Sequence, residues 1–177
     1  MRSQEKTKLL IVQALEEELK NKSLERVSIR DIMNRCNLSR QTFYRHFIDI
    51  YDLVLWFHNY NAKRSLNAFS KNKDIKECFI LTLNKMNEHN NFYINALSLT
   101  GPNSFINDYF NLQMNYAKEH IGNKRLDFNL LIQLRLFWYG VTNLLVYWIK
   151  LDVKISPEVM AENIFKSLPA DLKKYYE

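Results

Sequence analysis

Apolar positions along this 177-residue chain recur at three and four residues rather than at two, and the spacing predicts helices almost throughout. Residues 4–20 place Ile11, Ala14, Leu15 and Leu19 on one face and Glu16, Glu17 and Lys20 on the other. A polar connection, 21–26, follows. Ile29, Ile32, Met33 and Cys36 then fall at i, i+3, i+4 and i+7. Ser28 stands before them as an N-cap, and Asp31 sits in the first turn, where negative charge suits the helix dipole. Cys36-Asn37-Leu38 reads as a turn, because Asn tolerates left-handed backbone. Ser39 caps a third short helix, Arg40 to His46. Phe43 and Phe47 form its inner edge, which leaves Arg40, Gln41, Tyr44 and Arg45 on other faces.

The pattern continues as a second, larger group of helices. Residues 49–70 carry Leu53, Trp56, Phe57 and Tyr60 at helical spacing, with Lys71-Asn72-Lys73 as the expected end. Ile75, Cys78, Phe79, Thr82, Leu83 and Met86 stripe a helix over 74–89, and Asn90-Asn91 is read as an interruption before a short helix at 92–97. Gly101-Pro102 is the plainest break. Phe105, Tyr109, Leu112 and Tyr116 stripe 104–120; Gly122 ends that helix, and Asn123-Lys124-Arg125 is read as a loop. From Phe128 to Lys150 apolar residues cover nearly the whole circumference, so this helix must be buried on more than one side: by its own body and a second copy of the chain, the expected arrangement, or as the central helix of a monomer. Ser156-Pro157-Glu158 opens a last helix with cap, N1 proline and early acid, followed by Val159, Ile164, Phe165 and Leu168. The predicted fold is all-α: a three-helix head with a helix-turn-helix, residues 1–48, and a body of five to six helices, residues 49–177.

Composition supports this picture. Hydrophobic residues make up 47% of the chain, and 3 Gly and 3 Pro are too few for a fold built on many tight turns. The net charge of +6 is concentrated at the front: residues 1–47 hold 10 Lys/Arg against 6 Asp/Glu, and 48–177 hold 15 against 13. A basic head suits a nucleic-acid partner. Cys36 and Cys78 lie on apolar helix faces without a CxxC pair and read as reduced core residues. The N-terminus lacks a secretory apolar run, and the most apolar stretch, Leu136 to Ile149, is short for a bilayer span and contains Asn143, so a cytoplasmic protein is expected with no membrane partner. The chain has no GxSxG, phosphate-binding glycine loop or HExxH, and its histidines at 46, 58, 89 and 120 lack metal-pair spacing. No enzyme, cofactor or metal is expected.

The segment Thr42-Phe43-Tyr44-Arg45-His46-Phe47, followed by Asp49 and Leu53, resembles the DNA-binding domain of TetR/AcrR-type transcriptional regulators. Ile11, Ala14, Leu15 and the run Val27-Ser28-Ile29-Arg30-Asp31-Ile32 carry the same likeness. Arg40-Gln41 before it, with Asp52-Leu53 and Trp56 after it, is similar to the subgroup of dihydroxyacetone-kinase operon activators. The resemblance implies a homodimer that sets two recognition helices into a near-palindromic double-stranded DNA operator. It implies base contacts from Arg40 and Gln41, base or phosphate contact from Arg45, backbone contacts from Tyr44 and His46, and phosphate or outer-base contacts from Ser28 and Arg30, with Ser39 foremost a cap. Three positions depart from the family pattern: Asn37 and Gln41 stand where glycine is common, and Ile50 stands where a phosphate-contacting lysine is common.

The family also implies an effector, a small molecule or a protein co-regulator, received by the body. Trp56, Tyr60, Phe79, Met86, Tyr109, Leu112, Tyr116 and Trp138 are the expected lining. Equally, aromatic residues at helical spacing suit plain core. The last two helices are implied to pair into a four-helix dimer contact through Leu134, Trp138, Val141, Leu145, Trp148 and Phe165. The competing reading is a protein of the same fold that binds a partner and no longer reads DNA.

Overall fold

The computed structural model describes residues 3–72, 74–99, 104–122, 126–150 and 155–176, and among these residues all regular structure is helical. The head comprises α1 (Ser3–Leu19), a single 3-10 turn at Leu24–Arg26, α2 (Ile29–Arg35) and α3 (Arg40–His46). The body comprises α4 (Ile50–Asn72), α5 (Ile75–Glu88), α6 (Asn90–Ala96), α7 (Phe105–Ile121), α8 (Phe128–Lys150), α9 (Pro157–Lys166) and α10 (Ala170–Lys173).

Local chemistry accounts for most of these boundaries. Ser28 and Asp31 form a reciprocal capping box: the Asp31 amide donates to Ser28 Oγ at 3.2 Å, and the Ser28 amide donates to Asp31 Oδ2 at 3.1 Å. The α2–α3 turn closes as a Schellman motif. Leu38 N–H reaches Met33 O at 3.0 Å and Asn37 N–H reaches Asn34 O at 3.2 Å, while Asn37 adopts φ 54°. Thr42 N–H donates to Ser39 Oγ at 3.1 Å. Gly122 ends α7 at φ 87°, where a side chain would strain the backbone, and Ser156 with Pro157 starts α9.

The body differs from the expectation in two respects. Asn90 and Asn91 do not interrupt a helix but begin one, because His89 serves as C-cap of α5 and N-cap of α6 at φ −108°, ψ 33°. Residues 170–173 add a seventh body helix, a single turn too short to leave a periodic signal. Helix α4 runs through Asn72; Lys73, Gly101-Pro102 and Asn123-Lys124-Arg125 lie outside the described residues.

Leu15, Ile32 and Phe43 meet at the centre of the head and are fully buried. The polar residue Glu18 is buried with them and accepts from Arg35 at 2.6 Å and from Lys22 at 3.0 Å, while Lys22 also pairs with Asp31 at 3.3 Å. This chain of charges ties α1 to the capped start of α2. Arg35 and Lys22 hold the Glu18 carboxyl below the usual carboxylate range.

Two elements join head to body. Helix α4 is the covalent link, and Lys8 of α1 lies over the rings of Phe47 (4.7 Å) and Trp56 (5.0 Å) at its start. Helix α6 is the second. Asn91 Nδ2 donates to Leu19 O at 2.8 Å, capping an end-of-helix carbonyl of α1. The Leu24 amide donates to Asn95 Oδ1 at 3.0 Å, and His89 Nδ1 lies 2.6 Å from Glu16 Oε1.

Helix α8 is 23 residues long and apolar enough by length and composition to cross a membrane. In the fold it packs against α6, α7 and α10. Leu130, Leu134, Phe137, Trp138, Val141, Leu145, Trp148 and Ile149 are buried within the protomer.

Candidate DNA-binding surface and effector cavity

Helix α3 presents two unlike faces. Phe43 is fully buried, and Tyr44 meets it edge-on at 5.7 Å while remaining 54% exposed. Arg40, Gln41 and Arg45 are exposed, and neither arginine has an ion-pair partner among the described residues. Arg30, exposed at the start of α2, is free in the same sense. Arg35 differs, because Glu18 engages it. A rigid helix held at its N-terminus by Ser39 thus carries two uncommitted guanidiniums, an amide and a phenol on its outward side. That set matches the donors and acceptors of base edges and phosphates.

The remaining expected contacts have local roles. Ser28 is exposed, but its hydroxyl already accepts from the Asp31 amide and donates to Asp31 Oδ2 at 2.8 Å. Ser39 Oγ is similarly engaged by Thr42. His46 is half-buried, and burial with the nearby Lys8 and Arg45 cations lowers its pKa, so its ring is neutral at physiological pH. Ile48, just past α3, is 82% exposed; sequence reading did not single it out, and its side chain had no periodic partner to mark it.

The body holds a cavity of about 570 Å³ between α4, α5, α7, α8 and α9, with Tyr176 also in its lining. That volume is ordinary for a small-molecule site. Of the residues named from the sequence, Phe79, Tyr109, Tyr116 and Trp138 line it. Trp56, Tyr60, Met86 and Leu112 do not. Trp56 stacks on Tyr60 at 5.3 Å beside the head, and Met86 is packed in the core at 2% exposure. Periodicity marks an apolar face without saying whether the face meets a neighbour or a void. The additional lining includes Lys63, Asn67, Phe69, Cys78, Gln113, Glu119 and His120. Burial pushes the Cys78 thiol up to about 11 and holds the Tyr109 phenol far above its ordinary value.

The expected dimer residues need correction. Leu134, Trp138, Val141, Leu145 and Trp148 are buried in the protomer's own core, at 0% to 7% exposure, and Phe165 is half-buried beneath Lys173. The first five therefore offer no free face to a second copy, and Phe165 offers only part of one. The outward stripe of α8 is Ile132, Leu136, Tyr139, Leu144 and Tyr147, with Leu136 68% and Tyr147 62% exposed. Gly140 lies on the same side, with nothing within 4 Å of where a Cβ would stand. The same periodicity serves both faces of an all-apolar helix, so residue type alone does not assign them.

Buried polar groups form a further feature missed in the sequence. His58 on α4 is 2% exposed, its Nδ1 is 3.3 Å from Tyr93 Oη on α6, and its ring lies 5.1 Å from that of Tyr109 on the cavity wall. Burial lowers its pKa to about 4. Among the described residues no group of three or more His, Cys, Asp or Glu is placed to hold a metal.

Two family descriptions match this chain: "Bacterial regulatory proteins, tetR family" over residues 11–55, and "Transcriptional regulator C-terminal region" over residues 73–169. A solved structure with a similar fold is "Dihydroxyacetone kinase operon activator DhaS". It superposes with a TM-score of 0.74 at 19% sequence identity, over 95% of this chain and 97% of that one. The curated proteins provide no match.

Proposed function

We propose a function from one established premise: the chain belongs to the TetR family of bacterial regulatory proteins. In this reading it is a cytoplasmic homodimer that binds a near-palindromic operator, and an effector taken up by the body alters operator affinity. One observation carries the proposal. The outward side of α3 holds Arg40 and Arg45, free of ion pairs among the described residues, beside exposed Gln41 and Tyr44, on a helix fixed by a cap and a Schellman turn. Arg pairs bidentately with guanine and Gln with adenine, and the two arginines also satisfy phosphate. A seven-residue helix covers too few bases alone, so two copies on successive major-groove faces are required.

The exposed apolar stripe of α8 supports the second copy. Five large apolar side chains on one helical line, with Val159 of α9 53% exposed, form a self-complementary patch of the kind two-fold dimers bury. Effector action is assigned to the cavity because α4 and α7 wall it, and α4 leads directly to α3.

The test is binding of the purified protein to the DNA flanking its own gene, with excess random DNA as competitor and an Arg40→Ala/Tyr44→Ala variant as control. Saturable binding to a palindrome that resists competitor and is lost in the variant is the expected result. Retention of binding by the variant, or failure to select any palindrome from a random library, overturns it.

A further inference from the structure

The cavity's chemistry narrows what it can accept. Its charged lining groups are Lys63 and Glu119, both exposed, and neither has an ion-pair partner among the described residues. They are of opposite sign, and solvent screens them. The buried lining carries no charge at physiological pH. Ile75, Leu83, Val141 and Leu145 are apolar, the Cys78 thiol sits near 11, and Tyr176 near 12. A cation or anion drawn inside would lose its hydration without gaining a counter-charge, which costs several kcal/mol.

Rings set the shape. Phe79 meets Trp138 edge-on, with centroids 6.2 Å apart. Phe69, His120 and Tyr176 form a second group of lining rings, the last two stacked at 5.0 Å and 21°. Edges and faces so disposed favour a flat π-system over a branched aliphatic one.

Four buried side-chain polar atoms lack a partner among the described residues, on His58, Asn61, Trp138 and Thr142, and of these residues Trp138 alone lines the cavity. The indole N–H of Trp138, on a side chain 6% exposed, reaches no acceptor. A buried donor left unpaired costs about 1–3 kcal/mol, which an acceptor on a ligand recovers. Trp138 is the wall residue from which that cost arises.

We propose that this cavity binds an uncharged, flat aromatic molecule bearing one carbonyl or hydroxyl oxygen, which accepts a hydrogen bond from the Trp138 indole N–H. The inference rests on the effector reading of the body given above. It specifies the effector's chemistry and makes Trp138 the residue that reads it.

Isothermal titration of the full chain, without DNA, with three probes of one ring system tests the proposal. These are 2-naphthol, which is neutral at pH 7, 2-naphthoate and the 2-naphthyltrimethylammonium ion. 2-Naphthol is expected to bind saturably at one site per chain, at least about tenfold tighter than either charged probe. Trp138→Phe, which keeps a ring and removes the donor, is expected to weaken it about tenfold, equivalent to about 1.4 kcal/mol. Ala117→Leu fills the cavity from a buried lining position and Gln113→Trp from a half-buried one. Whichever of them melts as the parent does should abolish binding. Equal or tighter binding of a charged probe overturns the proposal. So does unchanged affinity in Trp138→Phe or in a folded filling variant, and so does absence of saturable 2-naphthol binding up to about 1 mM. Operator affinity measured separately distinguishes the two readings: tight 2-naphthol binding that leaves it unchanged rejects the effector role and keeps the ligand chemistry. Intact operator binding with no ligand uptake does the reverse.

Discussion

Replacing Leu136 by alanine should separate assembly from folding. Leu136 is 68% exposed at the middle of the α8 stripe, so in the protomer it gains only a third of its burial. Complete burial of a leucine side chain is worth about 1.5–3 kcal/mol, and the part still exposed therefore holds about 1–2 kcal/mol for a partner to recover. A two-fold dimer contains the residue twice, which makes the loss in Leu136→Ala about 2–4 kcal/mol. At 1.4 kcal/mol per decade this raises the dimer dissociation constant about 30- to 1,000-fold. Protomer stability should change by no more than about 0.5 kcal/mol, as for other exposed sites. Leu134, two residues away and fully buried, provides the opposite case: Leu134→Ala should cost about 2–5 kcal/mol of folding stability by opening a core cavity. Sedimentation equilibrium over a concentration series gives the first quantity, and chemical denaturation of each variant at low concentration gives the second. A dimer constant within threefold of the parent in Leu136→Ala would remove the stripe as the interface, and with it the reasoning from exposure.

Three further outcomes follow from local geometry. Ser28→Ala removes the acceptor of the Asp31 amide and one half of the capping box, and should lower head stability by about 1 kcal/mol in thermal melts; unchanged melting would show the cap to be redundant. Asn95→Ala strips the Leu24 amide of its acceptor and loosens α6 from the head; about 1–2 kcal/mol of stability should be lost, and amide exchange at Leu24 should rise, whereas unaltered exchange would mean the contact is not formed in solution. His58 titrates near 4 when folded, against about 6.5 unfolded, so its neutral burial favours folding above the unfolded value, and that contribution is lost as pH falls towards the folded one. Parent stability should therefore drop by about 2 kcal/mol more than that of His58→Gln between pH 7 and pH 5, and equal drops in the two proteins would exclude His58 as the source.

Much of the head was legible in its residues because its signals are short-range. Ser28, Asp31, Asn37, Ser39 and Phe43 each act on neighbours within five positions, so spacing alone placed α2, the turn and α3. Helix α8 was equally plain in extent, since 23 residues of apolar periodicity leave little choice. Its orientation was not. Leu134 and Leu136 are the same residue type two positions apart, and only packing against α6, α7 and α10 puts one at 0% exposure and the other at 68%. Likewise Met86 and Phe79 share one amphipathic stripe of α5, yet one fills core while the other faces a void. Asn90-Asn91 read as a helix break, because the partner of Asn91, the Leu19 carbonyl, lies about seventy residues away along the chain. Local propensity and capping fix where helices begin and end; which face meets a neighbour, a cavity or open surface depends on long-range contacts that no window of sequence contains.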